Sequence, residues 1–433
     1  PRPTSALWAT ALAVVAVAAL GCEVAPPPPL QNSAPAPNSG LRSPAPVSCP
    51  PSSMTQDESE FAPEALQGPE RDLTAFGAAV DALSGTGRVD ITTEENGRPQ
   101  FSSVGVWDLQ SSLDAEADPV IAIEASAQVS ATGDQASPAP GTAGTVTNDP
   151  LYDQQWSDRS VPYSPAWACT QGSGIDIAVV DTGVDRSHPD LAAHTTTGAG
   201  ALGGSGTVSP GTGGIDPHGH GTHVAGIAAA SAGNGLGIAG VAPMATIIPV
   251  RVLGETGSGW NIDVAAGITW AVDSGAEVVN LSLGSTWRSS AVSNAIAYAV
   301  SRGVVVVAAA GNDGPSGAKH YPGADANSIA VGSVDENLQI SYFSTHGDYV
   351  DVSAPGSAIL STYLNGSYAT LSGTSMATPY VSGVVALMLG THPTLGPAQI
   401  RARLTSTADD AGPNGPDQAF GYGIVDPVRA IGN

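Results

Sequence analysis

Cysteine and basic residues are scarce in this chain of 433 residues. Its three cysteines, Cys22, Cys49 and Cys169, are too few and too scattered for a disulfide framework or a zinc cluster. Lys and Arg number 14 against 39 Asp and Glu, which gives a net charge of −25. Such a chain repels phosphate backbones, so we expect no nucleic-acid partner. Cys49 and Cys169 could pair, but free or modified thiols fit the sequence equally well.

The N-terminal apolar run, residues 7–20, is shorter than the roughly 20 residues that a membrane-spanning helix needs. With Arg2 before it, the run is typical of a signal-peptide core. The segment ending in Cys22 resembles a bacterial lipobox, whose cysteine becomes lipidated. We therefore expect 1–22 to be a signal peptide, with the protein extracellular or lipid-anchored at the bacterial cell envelope. Ordinary signal cleavage beside an incidental cysteine is the alternative.

Residues 23–53 are rich in proline and predict an extended spacer. Residues 54–130 predict a small ferredoxin-like α+β domain, with Asn96-Gly97 as a hairpin turn. The expected elements of this domain are helix 72–83, strands 87–93 and 100–106, helix 107–113 and strand 119–124. The Gly-, Ala-, Thr- and Pro-rich segment 131–147 is typical of an exposed loop open to cleavage.

From residue 148 to 433, apolar runs typical of strands buried on both faces alternate with helical patterns. Such alternation predicts an α/β fold of three layers with a mostly parallel central sheet. In such sheets the functional residues gather at the carboxyl ends of the strands. The expected strands are 175–180, 246–252, 276–283, 303–310 and 328–334, and the expected helices are 221–231, 261–274, 289–302 and 375–389.

Three separated motifs supply a carboxylate, an imidazole and a hydroxyl. They are Val179-Val180-Asp181-Thr182-Gly183, His220-Gly221-Thr222-His223-Val224-Ala225-Gly226 and Gly373-Thr374-Ser375-Met376-Ala377-Thr378-Pro379. A serine hydroxyl attacks a carbonyl well only when a base takes its proton and a carboxylate orients that base. Pro379 is expected in the first turn of its helix, where a missing N–H costs little. A histidine-rich zinc site of the HExxH type is excluded because the motif lacks its glutamate.

On these motifs the segment 148–433 resembles the subtilisin-like serine proteases, in their thermitase-like branch. The resemblance implies a catalytic domain in which Asp181 orients His220, His220 deprotonates Ser375, and Asn312 binds the oxyanion. It also implies that 54–130 is an inhibitory propeptide, a partner of the chain's own cleft, and that the enzyme is made as a self-processing zymogen. An independent binding module is the alternative for 54–130. We expect a monomer acting on protein or peptide substrates.

The resemblance extends to substrate binding. The segment Ser282-Leu283-Gly284 implies an edge strand that holds the substrate backbone, and Gly311 belongs to the oxyanion segment. His320 falls at the base of the first specificity pocket, which we expect to be narrow or polar rather than shaped for large aromatic side chains. Main-chain recognition of this kind predicts broad endopeptidase activity.

A structural calcium ion is also implied by the resemblance, whereas a catalytic metal is not. The matching side chains are Asp149 (or Gln154), Asp190 and Asn234. Carbonyl oxygens of Ala232, Leu236 and Ile238 would complete an all-oxygen set of the kind that this hard cation needs. Two other functions share the same motifs: a catalytically silent binding protein, and a peptide ligase in which an amine replaces water as the attacking group.

Overall fold

The computed structural model describes residues 88–105, 120–125, 127–131, 134–135 and 146–432. The strands are β1 Arg88–Glu95, β2 Arg98–Gly105, β3 Val120–Ala125, β4 Gln128–Ala131, β5 Asp134–Gln135, β6 Asp176–Asp181, β7 Ala199–Ala201, β8 Val208–Pro210, β9 Thr246–Arg251, β10 Ser258–Trp260, β11 Val278–Leu281, β12 Leu283–Gly284, β13 Val305–Ala309, β14 Ile329–Val334, β15 Val352–Pro355, β16 Ile359–Tyr363 and β17 Ser367–Ser372. The α-helices are α1 Trp156–Ser160, α2 His220–Ala229, α3 Asn261–Asp273, α4 Ser290–Ser301, α5 Thr374–Thr391, α6 Pro397–Thr407 and α7 Pro427–Ile431.

An eight-stranded sheet forms the middle layer, in the order β15-β14-β13-β11-β6-β9-β7-β8. Every neighbouring pair is parallel except β7 and β8. Its strands are apolar on both faces because each face is covered by helices. On β6, Ile177 and Val179 belong to one hydrophobic cluster while Ala178 and Val180 belong to the other.

The two helical layers account for those two clusters. One cluster contains the apolar side chains of α2 and α5, and the other contains those of α3 and α4. The expected three-layer α/β fold is therefore confirmed. The first residue of α2, His220, contacts Asp181 at the carboxyl end of β6, and Ser375 in the first turn of α5 bonds to Ser282, the residue after β11. The predicted site residues therefore gather at the carboxyl ends of the sheet strands.

A separate three-stranded antiparallel sheet, in the order β2-β1-β3, forms from the segment that precedes the main domain. Its hairpin turns at Asn96 and Gly97, whose φ angles of 53° and 76° are those that a tight two-residue turn requires. This sheet lies against α3 and α4. Arg98 forms an ion pair with Asp273 on α3, at 2.5 Å, and Tyr298 of α4 donates to the same carboxylate at 2.6 Å.

Several expectations fall on residues outside the described ranges. They are the signal peptide 1–22 with Cys22, the spacer 23–53 with Cys49, and the helices 72–83 and 107–113. Cys169 lies in the described part and is disulfide-bonded, so it is not a free thiol. Within the described ranges no helix combines the length and apolar character needed to traverse a bilayer.

Candidate active site

Asp181 and His220 form a buried pair. Asp181 is the last residue of β6, and His220 is the first residue of α2. Nδ1 of His220 lies 2.8 Å from Oδ1 of Asp181, and the two side chains are 3% and 0% exposed. The backbone N–H of Thr182 donates to the same oxygen at 2.7 Å. Because the carboxylate accepts Nδ1–H, Nε2 is the imidazole nitrogen left to take a proton.

Asp216, which the sequence motifs do not mark, holds this pair in place. Its carboxylate accepts hydrogen bonds from the Thr182 hydroxyl at 2.9 Å, from the N–H of Gly219 at 2.8 Å, and from both the N–H and the hydroxyl of Thr222. It therefore joins the end of β6 to the start of α2. Asp216 lies four residues before α2, outside the N-cap position that Gly219 occupies, so the usual capping pattern does not mark it in the sequence.

Ser375 lies in the first turn of α5, the helix that packs against α2. Its hydroxyl donates to the carbonyl oxygen of Ser282 at 2.9 Å. In return, the hydroxyl of Ser282 donates to the carbonyl oxygen of Ser375 at 2.8 Å. The N-terminal end of a helix favours negative charge, which suits a serine whose attack on a carbonyl produces an oxyanion in the tetrahedral intermediate.

Pro379 explains the second of these bonds and corrects the sequence expectation. Because α5 begins at Thr374, Pro379 lies in the second turn rather than the first. An N–H at that position would bond to the carbonyl of Ser375, four residues earlier, and proline has none. The freed carbonyl accepts the Ser282 hydroxyl instead. The carbonyl that Pro379 leaves free thus links α5 to Ser282, which lies between β11 and β12.

Asn312 is held next to Ser375 by hydrogen bonds to Thr374, the residue that precedes the serine. Its Oδ1 accepts both the N–H and the hydroxyl of Thr374, each at 2.9 Å. The N–H of Gly311 donates to that hydroxyl at 3.2 Å. With the carbonyl end of its amide held in this way, the NH₂ end of Asn312 is the part that can donate to a substrate oxygen.

Strand β4, which comes from the segment before the main domain, is the middle strand of a three-stranded sheet with β10 and β12. Ala131 pairs with Leu283, and Ser130 with Gly284. Val129 pairs with Gly259 on the other side and is only 3% exposed. The pocket around Val129 is lined by apolar side chains that include Val264, Leu283, Val292 and Ile296. An antiparallel ladder on both edges is how an extended peptide binds a cleft between two strands.

Two residues further along, β5 pairs with β17, the strand that leads into α5. Asp134 lies opposite Ser372, three residues before Ser375 in the chain. The described part of the expected exposed loop 131–147 therefore begins with the end of β4 and with β5. The segment that contains β4 and β5 thus pairs first with Leu283 and then with Ser372.

His320 packs against the glycine that precedes Asn312. A Cβ atom on Gly311 would lie 2.5 Å from the imidazole ring, and the φ of Gly311 is +109°. Nε2 of His320 lies 2.7 Å from Oδ2 of Asp313. The structure thus brings the predicted pocket residues Gly284, Gly311 and His320 together.

The predicted calcium residues gather around one loop. Asp190 accepts the Asn234 amide at 2.9 Å and the N–H of Ile238 at 3.0 Å. The loop curls so closely over this carboxylate that a Cβ on Gly237 would lie 2.2 Å from Oδ2 of Asp190. Asp149 accepts the N–H groups of residues 233 and 235 and so holds the loop itself. The predicted carbonyl donors Ala232 and Leu236 belong to the same loop.

The described residues contain no group of three or more His, Cys, Asp or Glu side chains placed to hold a metal ion. His223, one turn after His220, instead has Nε2 at 3.0 Å from the carbonyl oxygens of Ile359 and Ala369. Complete burial lowers the pKa of His223 to about 3. It is therefore a neutral residue that joins α2 to β16 and β17.

Comparison with known proteins agrees with this geometry. The family model described as "Subtilase family" matches residues 172–423. Thermitase from Thermoactinomyces vulgaris is 47% identical over 285 residues, which is 66% of this chain and 98% of thermitase. Subtilisin E from Bacillus subtilis (strain 168) is 36% identical over 361 residues, covering 81% of this chain and 87% of that protein.

The solved structure of fervidolysin from Fervidobacterium pennivorans, described as a keratinolytic enzyme related to subtilisin, superposes with a TM-score of 0.69 at 31% identity. The match covers 83% of this chain, and this chain spans 59% of the fervidolysin chain. The matched family model, the two relatives and the shared fold together establish that this chain belongs to the subtilase family and is a subtilisin-like serine endopeptidase.

Proposed function

We propose that this endopeptidase is made as a zymogen that blocks its own cleft and then cleaves itself. The observation that carries the proposal is the path of β4 and β5, which lie in the cleft as a substrate chain would. The sheet of β1, β2 and β3, attached through Arg98 and Asp273, gives that segment a second anchor. Residues 54–130 then act as the inhibitory propeptide.

In the proposed mechanism, Nε2 of His220 takes the proton of the Ser375 hydroxyl as that oxygen attacks a peptide carbonyl. Asp181 stabilises the imidazolium that forms, and the Asn312 amide with the N–H of Ser375 binds the oxyanion. His220 then protonates the leaving amine. Water, activated by the same imidazole, hydrolyses the acyl-enzyme and regenerates the hydroxyl of Ser375.

The position of the processing bond follows from the two ladders. Ala131 is the last described residue on the Leu283 side, and Asp134 is the first on the Ser372 side. The hydroxyl of Ser375 lies between these two paired segments, because it donates to the carbonyl oxygen of Ser282, the residue before Leu283. We therefore place self-cleavage among the three peptide bonds between Ala131 and Asp134, at the start of the expected interval 131–148.

A Ser375→Ala variant tests self-processing. It should persist as the precursor on a gel, while the wild-type chain is converted to a shorter form whose N-terminus, read by mass spectrometry, falls between 132 and 134. Ser406→Ala, which changes an exposed serine on α6, is the matched control and should process normally. Normal processing of Ser375→Ala would refute self-maturation, and a mature N-terminus far from 134 would refute the assigned bond.

Labelling with a serine-directed fluorophosphonate separates an active site from a silent binding cleft. The mature wild-type protein should be labelled, and Ser375→Ala should not. Adding an amine nucleophile to a cleavage reaction then separates hydrolysis from ligation, because both proceed through the same acyl-enzyme. We expect hydrolysis to dominate, so most products should end in a free carboxyl group rather than in an amide to the added amine.

We also propose that a structural calcium ion binds at Asp190 and the loop of Asn234. The carboxylate and the carbonyls of Ala232, Leu236 and Ile238 would supply oxygen donors, which suit Ca²⁺. The Asn234 amide, whose nitrogen donates to Asp190, would have to turn its oxygen toward the ion. The close curl of the loop over Asp190 supports the assignment. EDTA should lower the thermal midpoint of Ser375→Ala, and excess CaCl₂ should restore it. An unchanged midpoint would remove calcium from the proposal.

Export is the remaining part of the proposal. One relative, the minor extracellular protease Epr of Bacillus subtilis, is 41% identical over 283 residues and is extracellular by name. The apolar run 7–20 and Cys22 support export with lipid attachment. Mass spectrometry of the uncleaved Ser375→Ala precursor from its host should find a lipid on Cys22, and adding Cys22→Ser should release that precursor into the medium. An unmodified N-terminus would contradict lipidation and leave export intact.

A further inference from the structure

The cleft directs one substrate side chain toward His320. Ser130 of the bound segment pairs with Gly284, and facing residues of an antiparallel pair share a face of the sheet. Side chains alternate along a strand, so the substrate residue two positions after Ser130 projects on that same face. A Cβ on Gly284 would point at the carbonyl of Tyr321, 3.0 Å away, and at Nδ1 of His320, 3.6 Å away.

That substrate residue is the one before the proposed scissile bond. Antiparallel pairing sets Ala131 opposite Leu283, so the next substrate residue comes opposite Ser282. The Ser375 hydroxyl is hydrogen-bonded to the carbonyl of Ser282. The carbonyl carbon presented to the nucleophile therefore belongs to the residue whose side chain faces His320.

His320 makes this pocket short. Its ring lies against Gly311 so tightly that a Cβ there would be 2.5 Å from Cγ and Cδ2. Gly284 and Gly311 form the two walls, and the imidazole fills the space between them. A long or bulky side chain has no room to pass the ring, whereas a short one can end at it.

His320 also makes the pocket polar. The side chain is 10% exposed, and Nδ1 is buried with no hydrogen-bond partner among the described residues. Nε2 faces the carboxylate of Asp313 at 2.7 Å, so Nε2 carries the hydrogen and donates it. In the tautomer that donates through Nε2, Nδ1 is an acceptor, and no described residue supplies a donor to it. A buried acceptor of this kind gains from a ligand that supplies the donor.

We propose that Nδ1 of His320 selects the substrate residue before the scissile bond, favouring short side chains that donate a hydrogen bond, such as Thr, Ser and Asn. The inference rests on the proposed peptidase mechanism and adds its substrate preference. The chain's own residue after Ala131 is Thr132, whose hydroxyl is such a donor. His320 is thus a specificity-determining residue that the resemblance located and the geometry explains.

The test compares internally quenched peptides that differ only in Thr or Val at this position, because these side chains have the same shape and only Thr donates. The mature wild-type enzyme should cleave the Thr peptide with a kcat/KM about fivefold higher, the effect of one neutral hydrogen bond. His320→Phe keeps a ring in the pocket and removes both nitrogens. In that variant the Thr-to-Val ratio should fall to about one, whatever the absolute rates of the two peptides.

His320→Gly supplies the second arm, because it lengthens the pocket without adding polarity. It should raise cleavage after Phe relative to Val. Should His320→Phe fold poorly, the wild-type enzyme still gives a decision through two further pairs, Ser against Ala and Asn against Leu. A Thr-to-Val ratio of one or less in the wild type, or a ratio that survives in His320→Phe, overturns the proposal. Fluorophosphonate titration of each preparation shows separately whether the peptidase site itself is functional.

Discussion

Lowering the pH from 7 to 5 should destabilise the folded protein by about 2 kcal/mol through His223 alone. This imidazole is fully buried between α2 and the hairpin of β16 and β17. Burial removes water from the ring and so disfavours its charged form, and this effect outweighs the two carbonyl acceptors at Nε2, which favour the charged form. The pKa of His223 is therefore lowered from 6.5 to about 3 in the folded state.

The sign follows from proton binding. Between pH 6.5 and about 3, His223 is protonated in the unfolded chain and neutral in the folded one. The unfolded state then binds more protons, so the free energy of unfolding falls as the pH falls. Each pH unit below 6.5 costs about 1.4 kcal/mol, which makes about 2 kcal/mol at pH 5. Above pH 6.5 the full stability is present.

The assay is chemical denaturation of Ser375→Ala, in which autolysis cannot interfere, at pH 7, 6 and 5. The same series on a second chain that also carries His223→Gln isolates the contribution, because glutamine offers an N–H donor and does not titrate. His223→Gln should lower stability at pH 7 and flatten the pH dependence by about 2 kcal/mol between pH 7 and 5. Parallel pH dependences in the two chains would refute the assignment of a neutral buried His223.

Three further predictions concern the site and its propeptide. Asn312→Ala should lower kcat by about 10²–10³-fold with little change in KM, because its amide acts on the oxyanion; an unchanged kcat would remove Asn312 from the mechanism. Arg98→Ala should speed the appearance of activity after expression, since it removes a half-exposed ion pair that contributes up to about 1 kcal/mol to propeptide docking; Asp273→Asn should act alike, and equal activation times would contradict that docking role. Gly311→Ala should destabilise the fold by about 2 kcal/mol more than Gly303→Ala, because both glycines have positive φ but only a Cβ at 311 meets the His320 ring; equal unfolding midpoints would show that the ring moves aside freely.

The sheet could be predicted from sequence because its strands are apolar on both faces. Residues 175–180 were expected as a strand, and Asp176–Asp181 is the strand observed. The helix expected to begin at Ser375 begins one residue earlier. Long periodic segments carry this information within themselves, so distant contacts are not needed to recognise them.

The strands in the cleft could not be predicted in the same way. Gln128–Ala131 and Asp134–Gln135 are short and lack an apolar pattern, and they are extended only because Gly259, Gly284 and Ser372 pair with them. The role of Asp216 likewise depends on Thr182, which is distant in sequence. Contacts of this kind are set by the tertiary fold, and no local pattern records them.

Replacing Pro379 to make α5 more regular should reduce the activity of the enzyme. Anyone ranking residues by helix propensity would mark it first for replacement, since proline is the poorest helix former and alanine the best. Alanine there would supply an amide hydrogen that competes for the carbonyl of Ser375, and Ser282 would lose its present acceptor. The helix would gain regularity, while the nucleophile would lose the link that fixes its distance from the strand beside it. A more heat-resistant but slower protease is the expected product of that optimisation.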